Sequence, residues 1–327
     1  MILLRIFKDS RLVGILWIFV LSVAVFLRSF LHPGPLEGYV GMPFYTLIFG
    51  AIHTIPLLDR IVALLLVCLL GFLLVRTGAQ YVLLEQRSIM PALFLVLVST
   101  ALPATQQVSP AMVGAIFYLL AFHTLYDVHD KPPDTLLVFN GALVLALGCM
   151  FYLKLIWFIP LIWVSVGTLR IVTLRELIYP LLALALMFLF VFTWYWAIQD
   201  NAAGFVTLMR ENRSFRTAWH PKHYSTFLYA GYILLLVILA SVYMANRFQV
   251  RKTAAQLIYQ VMFYMFVAGI LFYVLIARYE PTSLVYIGFP VAFILSNYFH
   301  RRTSHWTLEL ALWICLGLLV FAQVMVR

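Results

Sequence analysis

The segment Ser29 to Gly41 contains HPGPLEGY, with Glu37 as its only acid and His32 as its only imidazole. A carboxylate held over a membrane surface is the minimum equipment for general-base chemistry, and Glu37 is the candidate catalytic residue; an inert loop acid is the plainer alternative. A second set lies between Gln199 and Ser225, where RENRSFRTAWHPKHY gathers Arg210, Arg213, Arg216, His220 and Lys222. Three arginines at every third position project to one side of a helix, with Phe205, Leu208 and Met209 available to dip into lipid. Guanidinium forks match phosphate oxygens, so this loop is a candidate site for a phosphate or pyrophosphate at the membrane surface. Simple adhesion to anionic headgroups stands equally open. Arg278, in Arg278-Tyr279-Glu280-Pro281, reads either as half of a neutral ion pair at a helix end or as a substrate contact. The cluster Asp127, His129, Asp130 and Asp134 in YDVHDKPPD has the ligand types of a metal site, but its Pro-Pro turn and polarity predict a solvated loop and no metal.

The elements that must position these groups are apolar. Of the 327 residues 65% are hydrophobic and 10% charged, and mean hydropathy is +1.01, whereas soluble domains carry roughly 25% charged residues. Water is excluded as the main solvent. Twelve apolar runs follow one another: Leu12 to Leu27, Met42 to Leu58, Ile61 to Val75, Ile89 to Leu102, Pro110 to Tyr126, Thr135 to Leu153, Leu155 to Leu169, Leu177 to Ile198, Thr226 to Ala245, Ala255 to Ala277, Ser283 to Phe299 and Thr307 to Val326. Backbone in lipid must satisfy its own hydrogen bonds, and the runs lack the period-two alternation of a barrel, so they are expected to be helices. Met42 to Leu58 is the weakest, with a mildly polar stripe at Thr46, Gly50 and His53 and prolines near both ends. It is expected to lie in the interface. The resulting expectation is an all-α polytopic membrane protein with about eleven transmembrane helices, residues 1–327 forming a single membrane domain with an outer loop over 29–60 and a large outer loop over 199–225.

Charge asymmetry sets the orientation. With the amino terminus cytoplasmic and Met42 to Leu58 not crossing, thirteen of the 22 basic residues fall inside: Arg5, Lys8, Arg11, Arg76, Arg87, Lys131, Arg170, Arg175, Arg247, Arg251, Lys252, Arg301 and Arg302. Letting that run cross splits the basic residues evenly. The net charge of +10 is scattered between apolar runs rather than along one face, which excludes a nucleic-acid partner and leaves membrane lipids. Cys68, Cys149 and Cys315 lie inside apolar runs without metal or disulfide spacing, and nothing implies a cofactor. No Asp, Glu, Lys or Arg sits at mid-span, which lowers the case for an ion-coupled transporter or flippase. His53, His123, Asn140, Gln260 and Asn297 within the runs are read as interhelical hydrogen-bonding groups.

The stretches RSIMPALFLVLVSTALPATQQVSP and FNGALVLALGCMFYLKLIWFIPLIW, with IGFPVAFILSNYF and WTLELALW near the end, resemble a Bacteroidetes family of polytopic inner-membrane proteins. That resemblance implies a bacterial inner membrane and no particular activity. The layout also resembles the GT-C superfamily of polyprenyl-phosphate-dependent glycosyltransferases: a cytoplasmic amino terminus, a first outer loop with an interfacial helix, paired short spans and a large outer loop after the seventh span. It implies a base in the first outer loop, usually Asp; here Glu37 is the acid at that place, and the loop has no Asp before Asp59. The implied donor is a polyprenyl-phosphate-linked sugar at the periplasmic face, its phosphate held by Arg210, Arg213 and Arg216. The alternative is a noncatalytic subunit or scaffold with protein partners in an envelope-assembly complex.

Overall fold

The computed structural model describes residues 12–32, 41–84, 88–131, 136–198, 200, 202–213, 224–247, 253–300 and 305–325, and among them there is no strand. The α-helices are α1 (Leu12–Leu31), α2 (Pro43–Phe49), α3 (Pro56–Gln80), α4 (Met90–Ser99), α5 (Pro110–Tyr126), α6 (Leu137–Cys149), α7 (Ile159–Leu169), α8 (Leu174–Thr193), α9 (Ala202–Arg213), α10 (Tyr224–Arg247), α11 (Thr253–Leu271), α12 (Leu284–His300) and α13 (His305–Met325). Proline opens α2, α3, α4, α5 and α7 in the first turn, where its missing N–H costs no bond and its fixed φ already suits a helix. Polar caps help start α5 and α8: Ser109 Oγ accepts from Met112 N of α5 at 3.2 Å, and Thr173 with Glu176 forms a reciprocal capping box on α8.

Helices α4 and α12 pack against each other at the centre, almost wholly buried, with α3, α5, α10 and α11 around them. At Gly78 α3 comes so close to α12 that an added Cβ would lie 2.9 Å from the Phe293 ring. The outer helices are the reverse. Along α8, Leu177, Ile178, Leu181, Leu182, Leu186 and Leu189 are exposed, and α10 and α13 carry similar apolar outward faces. Apolar patches of this extent are what a bilayer covers. Seven helical stretches among the described residues are long and apolar enough to cross a membrane: Pro56–Gln80, Pro110–His129, Leu174–Ala197, Tyr224–Asn246, Ala254–Ile276, Pro281–His300 and Trp306–Met325. Shorter apolar stretches are Leu16–Leu31, Met90–Ser99, Leu137–Cys149 and Leu153–Leu169. The chain is thus a multi-pass all-helical protein whose helices suit a membrane.

Side-chain bonds show which loops share an end of the bundle. At the first end, Ser29 Oγ donates to Gln106 Oε1 (2.5 Å), Arg60 Nη1 donates to Gln106 O (3.0 Å), and Gln323 Nε2 donates to Val25 O (3.2 Å). Lys154 and Glu280 pair there at 3.2 Å, beside a contact between the turns Pro103–Thr105 and Pro281–Ser283. At the second end, Tyr81 Oη donates to Asp127 Oδ1 (2.6 Å), Arg170 Nη1 donates to Lys131 O (3.0 Å), and Tyr259 Oη donates to Leu83 O (2.5 Å). Successive loops alternate between the two ends. The segment between α1 and α3 leaves and returns at the first end, because Ser29 and Arg60 both reach Gln106. Its seven-residue helix α2 is about 10 Å long, a third of a bilayer core of about 30 Å.

Several expected boundaries are corrected. The run Met42 to Leu58 is not one element: α2 stops at Phe49, a 3-10 turn covers Ile52–Thr54, and Pro56 starts α3. The charges Asp59 and Arg60, taken as a boundary between two runs, are buried in the first turn and a half of α3, where an acid complements the helix dipole. His53 accordingly sits in the 3-10 turn rather than inside a span. Leu155 begins no helix either, since Leu153–Phe158 is a 3-10 segment leading into α7.

Candidate functional site

The first end of the bundle holds a closed polar cluster built from three short pieces of chain. Asp59, with a side chain wholly out of solvent, accepts from Val108 N–H at Oδ2 (3.1 Å). Its Oδ1 lies 2.8 Å from Nδ1 of His53, close enough for an ion pair when the ring is protonated. The other imidazole nitrogen, Nε2, is 2.8 Å from Tyr45 Oη, and Tyr45 Oη is also 3.0 Å from Val108 O. Arg60, next along α3, donates to Gln106 O (3.0 Å) and reaches Pro103 O (3.5 Å), so adjacent side chains of α3 grip the loop 103–108. Gly41 makes room for the phenol, since any side chain there would run into the Tyr45 ring. Burial, with the Asp59 carboxylate adding to it, raises the Tyr45 phenol far above its ordinary value, so it keeps its proton.

The opposite face of α2 borders a cavity of about 360 Å³, lined by Pro43, Phe44, Thr46 and Leu47 on one side and Phe190, Val191, Trp194 and Tyr195 on the other. Its walls are apolar apart from Thr46 and the Tyr195 and Trp194 polar tips, and Leu47, Phe190 and Trp194 also face outward, so it opens on the apolar surface of α8. The far wall is the point where α8 widens into a π-helical turn, Trp194–Ile198. Beyond it α9 packs through Phe205, whose ring centroid is 5.6 Å from that of Phe192 and 6.3 Å from that of Tyr195.

A third group surrounds Glu280. Lys154 Nζ is 3.2 Å from Oε2, Tyr152 Oη donates to Oε2 at 3.4 Å, and Thr282 Oγ1 donates to Oε1 at 2.8 Å. The turn that presents this acid follows a second π-helical segment, Phe272–Ile276, and runs through Arg278 (φ 47°) and Tyr279 (φ 64°), both left-handed. Two consecutive non-glycine residues there store strain of about 1–3 kcal/mol each.

The sequence-predicted residues divide as follows. Glu37, Arg216, His220 and Lys222 lie outside the described residues, as does the Arg213 side chain, although Arg213 ends α9. Arg210 and Arg278 are exposed, and neither lines the cavity. Glu280, in the same turn as Arg278, pairs with Lys154. The half-buried ring of Phe205 packs on Phe192 and Tyr195, and Val206 of the same helix is exposed. Asp127 is held by Tyr81 and Lys131 at the second end, and no metal-binding cluster occurs among the described residues. Among the residues read as interhelical, His123 Nδ1 meets Thr77 Oγ1 at 3.0 Å and Asn297 Nδ2 donates to Tyr259 Oη at 2.5 Å.

Sequence reasoning missed the Asp59, His53 and Tyr45 cluster. Its one local signal was Pro56 three residues before Asp59, the signature of a helix first turn rather than of a loop. Chemically the cluster holds rather than reacts, because both nitrogens of the His53 ring already face partners. No family model, no curated protein and no solved structure matches the chain.

Proposed function

We propose that this chain is a bacterial inner-membrane protein of eleven spans, the seven long helices together with the four shorter apolar ones, and that it handles a lipid-linked substrate at the periplasmic end of its bundle. The amino terminus is cytoplasmic in this reading, which makes the first end periplasmic. The observation that carries it is the cavity between α2 and the end of α8: apolar, of ligand size, and continuous with the helix surface that lipid covers. A hydrocarbon chain can enter from the bilayer while its polar head stays at the rim, near α9 with Arg210.

The reaction this arrangement serves is glycosyl transfer from a polyprenyl-phosphate-linked sugar, in the manner of the GT-C superfamily. Glu37 is the proposed base; Arg210, Arg213, Arg216, His220, Lys222 and Arg278 are proposed to hold the donor phosphate. The test is transfer of a labelled sugar from polyprenyl phosphate by the purified protein in liposomes, with Glu37→Gln expected to abolish it and Leu47→Trp, which fills the cavity, to raise the donor KM. Unchanged transfer in Glu37→Gln removes that residue's role; unchanged donor KM in Leu47→Trp removes the cavity's.

A second reading, a noncatalytic subunit or scaffold of an envelope-assembly complex, is favoured by the closed state of the His53 ring, which leaves the buried acid without access to a substrate. Stoichiometric co-purification of partners, with no transfer by the isolated chain, would decide for it.

A further inference from the structure

With Asp59 ionised, the polar cluster contains one hydrogen too few when His53 is neutral. The Tyr45 phenol has a single proton and two acceptors in range, His53 Nε2 at 2.8 Å and Val108 O at 3.0 Å. With a neutral imidazole that carries its proton on Nδ1 toward Asp59, the phenol must donate to Nε2, and the Val108 carbonyl loses it. With a second proton on the ring the accounting closes. Nε2–H then donates to Tyr45 Oη, Tyr45 O–H donates to Val108 O, Val108 N–H donates to Asp59 Oδ2, and the imidazolium faces Asp59 Oδ1 at 2.8 Å. That last contact gains from the charge that the second proton brings to the ring.

The ionisable groups around His53 are Asp59 and Arg60 from α3 and Tyr45 from α2; the loop Gln106–Ser109 that closes the ring contributes no ionisable side chain. His53 is 25% exposed, so solvent protons reach it, whereas Asp59 is sealed. Tyr45 projects from α2 opposite to Phe44 and Leu47, the residues that wall the cavity.

We propose that His53 is a positioning residue, a proton-dependent clasp that fastens α2 to α3 and the loop at Val108 when doubly protonated and thereby sets the width of the cavity between α2 and α8. On losing a proton the ring opens, α2 is held by fewer bonds, and the cavity widens. That a lipid chain feels this change rests on the reading given above; the clasp itself does not.

The experiment uses the full chain in phosphatidylcholine nanodiscs, with Leu47→Cys and Leu186→Cys spin-labelled after the native cysteines are replaced by alanine. The distance between α2 and α8 is read at about pH 5.5 and about pH 8.5, on either side of the ordinary imidazole range. A short, narrow distribution at the lower pH that shifts longer and broadens at the higher one is expected. His53→Gln, whose amide does not titrate, and Tyr45→Phe, which lacks the shared hydroxyl, should both give distributions independent of pH. The same distribution at both pH values in the His53 chain, or a pH response kept by His53→Gln or Tyr45→Phe, overturns the clasp. If one variant does not fold, the other and the His53 chain still decide. In parallel, a phosphatidylcholine with a diazirine in its acyl tail is photolysed and crosslinks to α2 are mapped. Capture near Leu47 that rises with pH supports the coupling; capture of no lipid at either pH sinks the lipid reading while the distances judge the clasp separately.

Discussion

Removing the carboxylate of Asp59 is the sharpest test of what holds the first end together. In Asp59→Ala, Val108 N–H loses an ionised acceptor at 3.1 Å, and His53 loses the acid 2.8 Å away. At a pH where His53 is protonated, deleting one partner of this largely buried charge pair costs about 3–5 kcal/mol. Asp59→Asn keeps an acceptor for Val108 but not the charge, and a hydrogen bond to a charged group exceeds a neutral one by about 1 kcal/mol, so this variant should lose about 1–2 kcal/mol. An unfolding entropy of about 2.1 cal/mol/K per residue makes each kcal/mol worth roughly 1.5 °C in a chain of 327 residues. Asp59→Ala should therefore lower the unfolding midpoint by roughly 4–7 °C and Asp59→Asn by roughly 2–3 °C. The buried thiols of Cys149 and Cys315 supply the assay, since a thiol-reactive dye reports their exposure as the detergent-solubilised protein is heated. His53→Ala should also cost less in the Asp59→Ala background than alone, because the two share one network. A midpoint within about 1 °C of the parent for Asp59→Ala, or strict additivity in the double variant, would refute the reasoning.

Gly78→Val should destabilise by about 1–3 kcal/mol, because its Cβ has the Phe293 ring at 2.9 Å and α3 must move off α12; the same thermal assay reads it. Gly231→Leu, on α10 with nothing near its Cβ, should change the midpoint by no more than about 1 °C, which separates packing from helix propensity. Tyr259→Phe removes the hydroxyl that donates to Leu83 O and accepts from Asn297, and should cost about 1–3 kcal/mol with faster amide exchange at the second end. Compartment-sensitive reporters at Met1 and near Arg213 should report opposite sides of the membrane, and finding both on one side would overturn the proposed topology.

The helices were legible because their cause is local: a backbone that cannot reach water must bond to itself, and the apolar runs from Leu12 to Val326 record where that holds. The up-and-down order of the helices is visible in the spacing of the runs, since short connections between apolar helices place successive loops at opposite ends of the bundle. The site was not. Charges were read as the edges of runs, a rule that fails at Asp59 and Arg60 because both side chains turn back and bond to the loop at Gln106 and Val108. Nothing in the spacing of a single segment encodes a partner 49 or 63 residues away. The cavity has the same origin, pairing Phe44 with Val191, nearly half the chain length apart. A membrane protein in which nearly every run is apolar carries little patterning to say which helix meets which. The few polar side chains therefore carry pairing information that the apolar runs lack, as Asp59 does by gripping the Val108 amide 49 residues away.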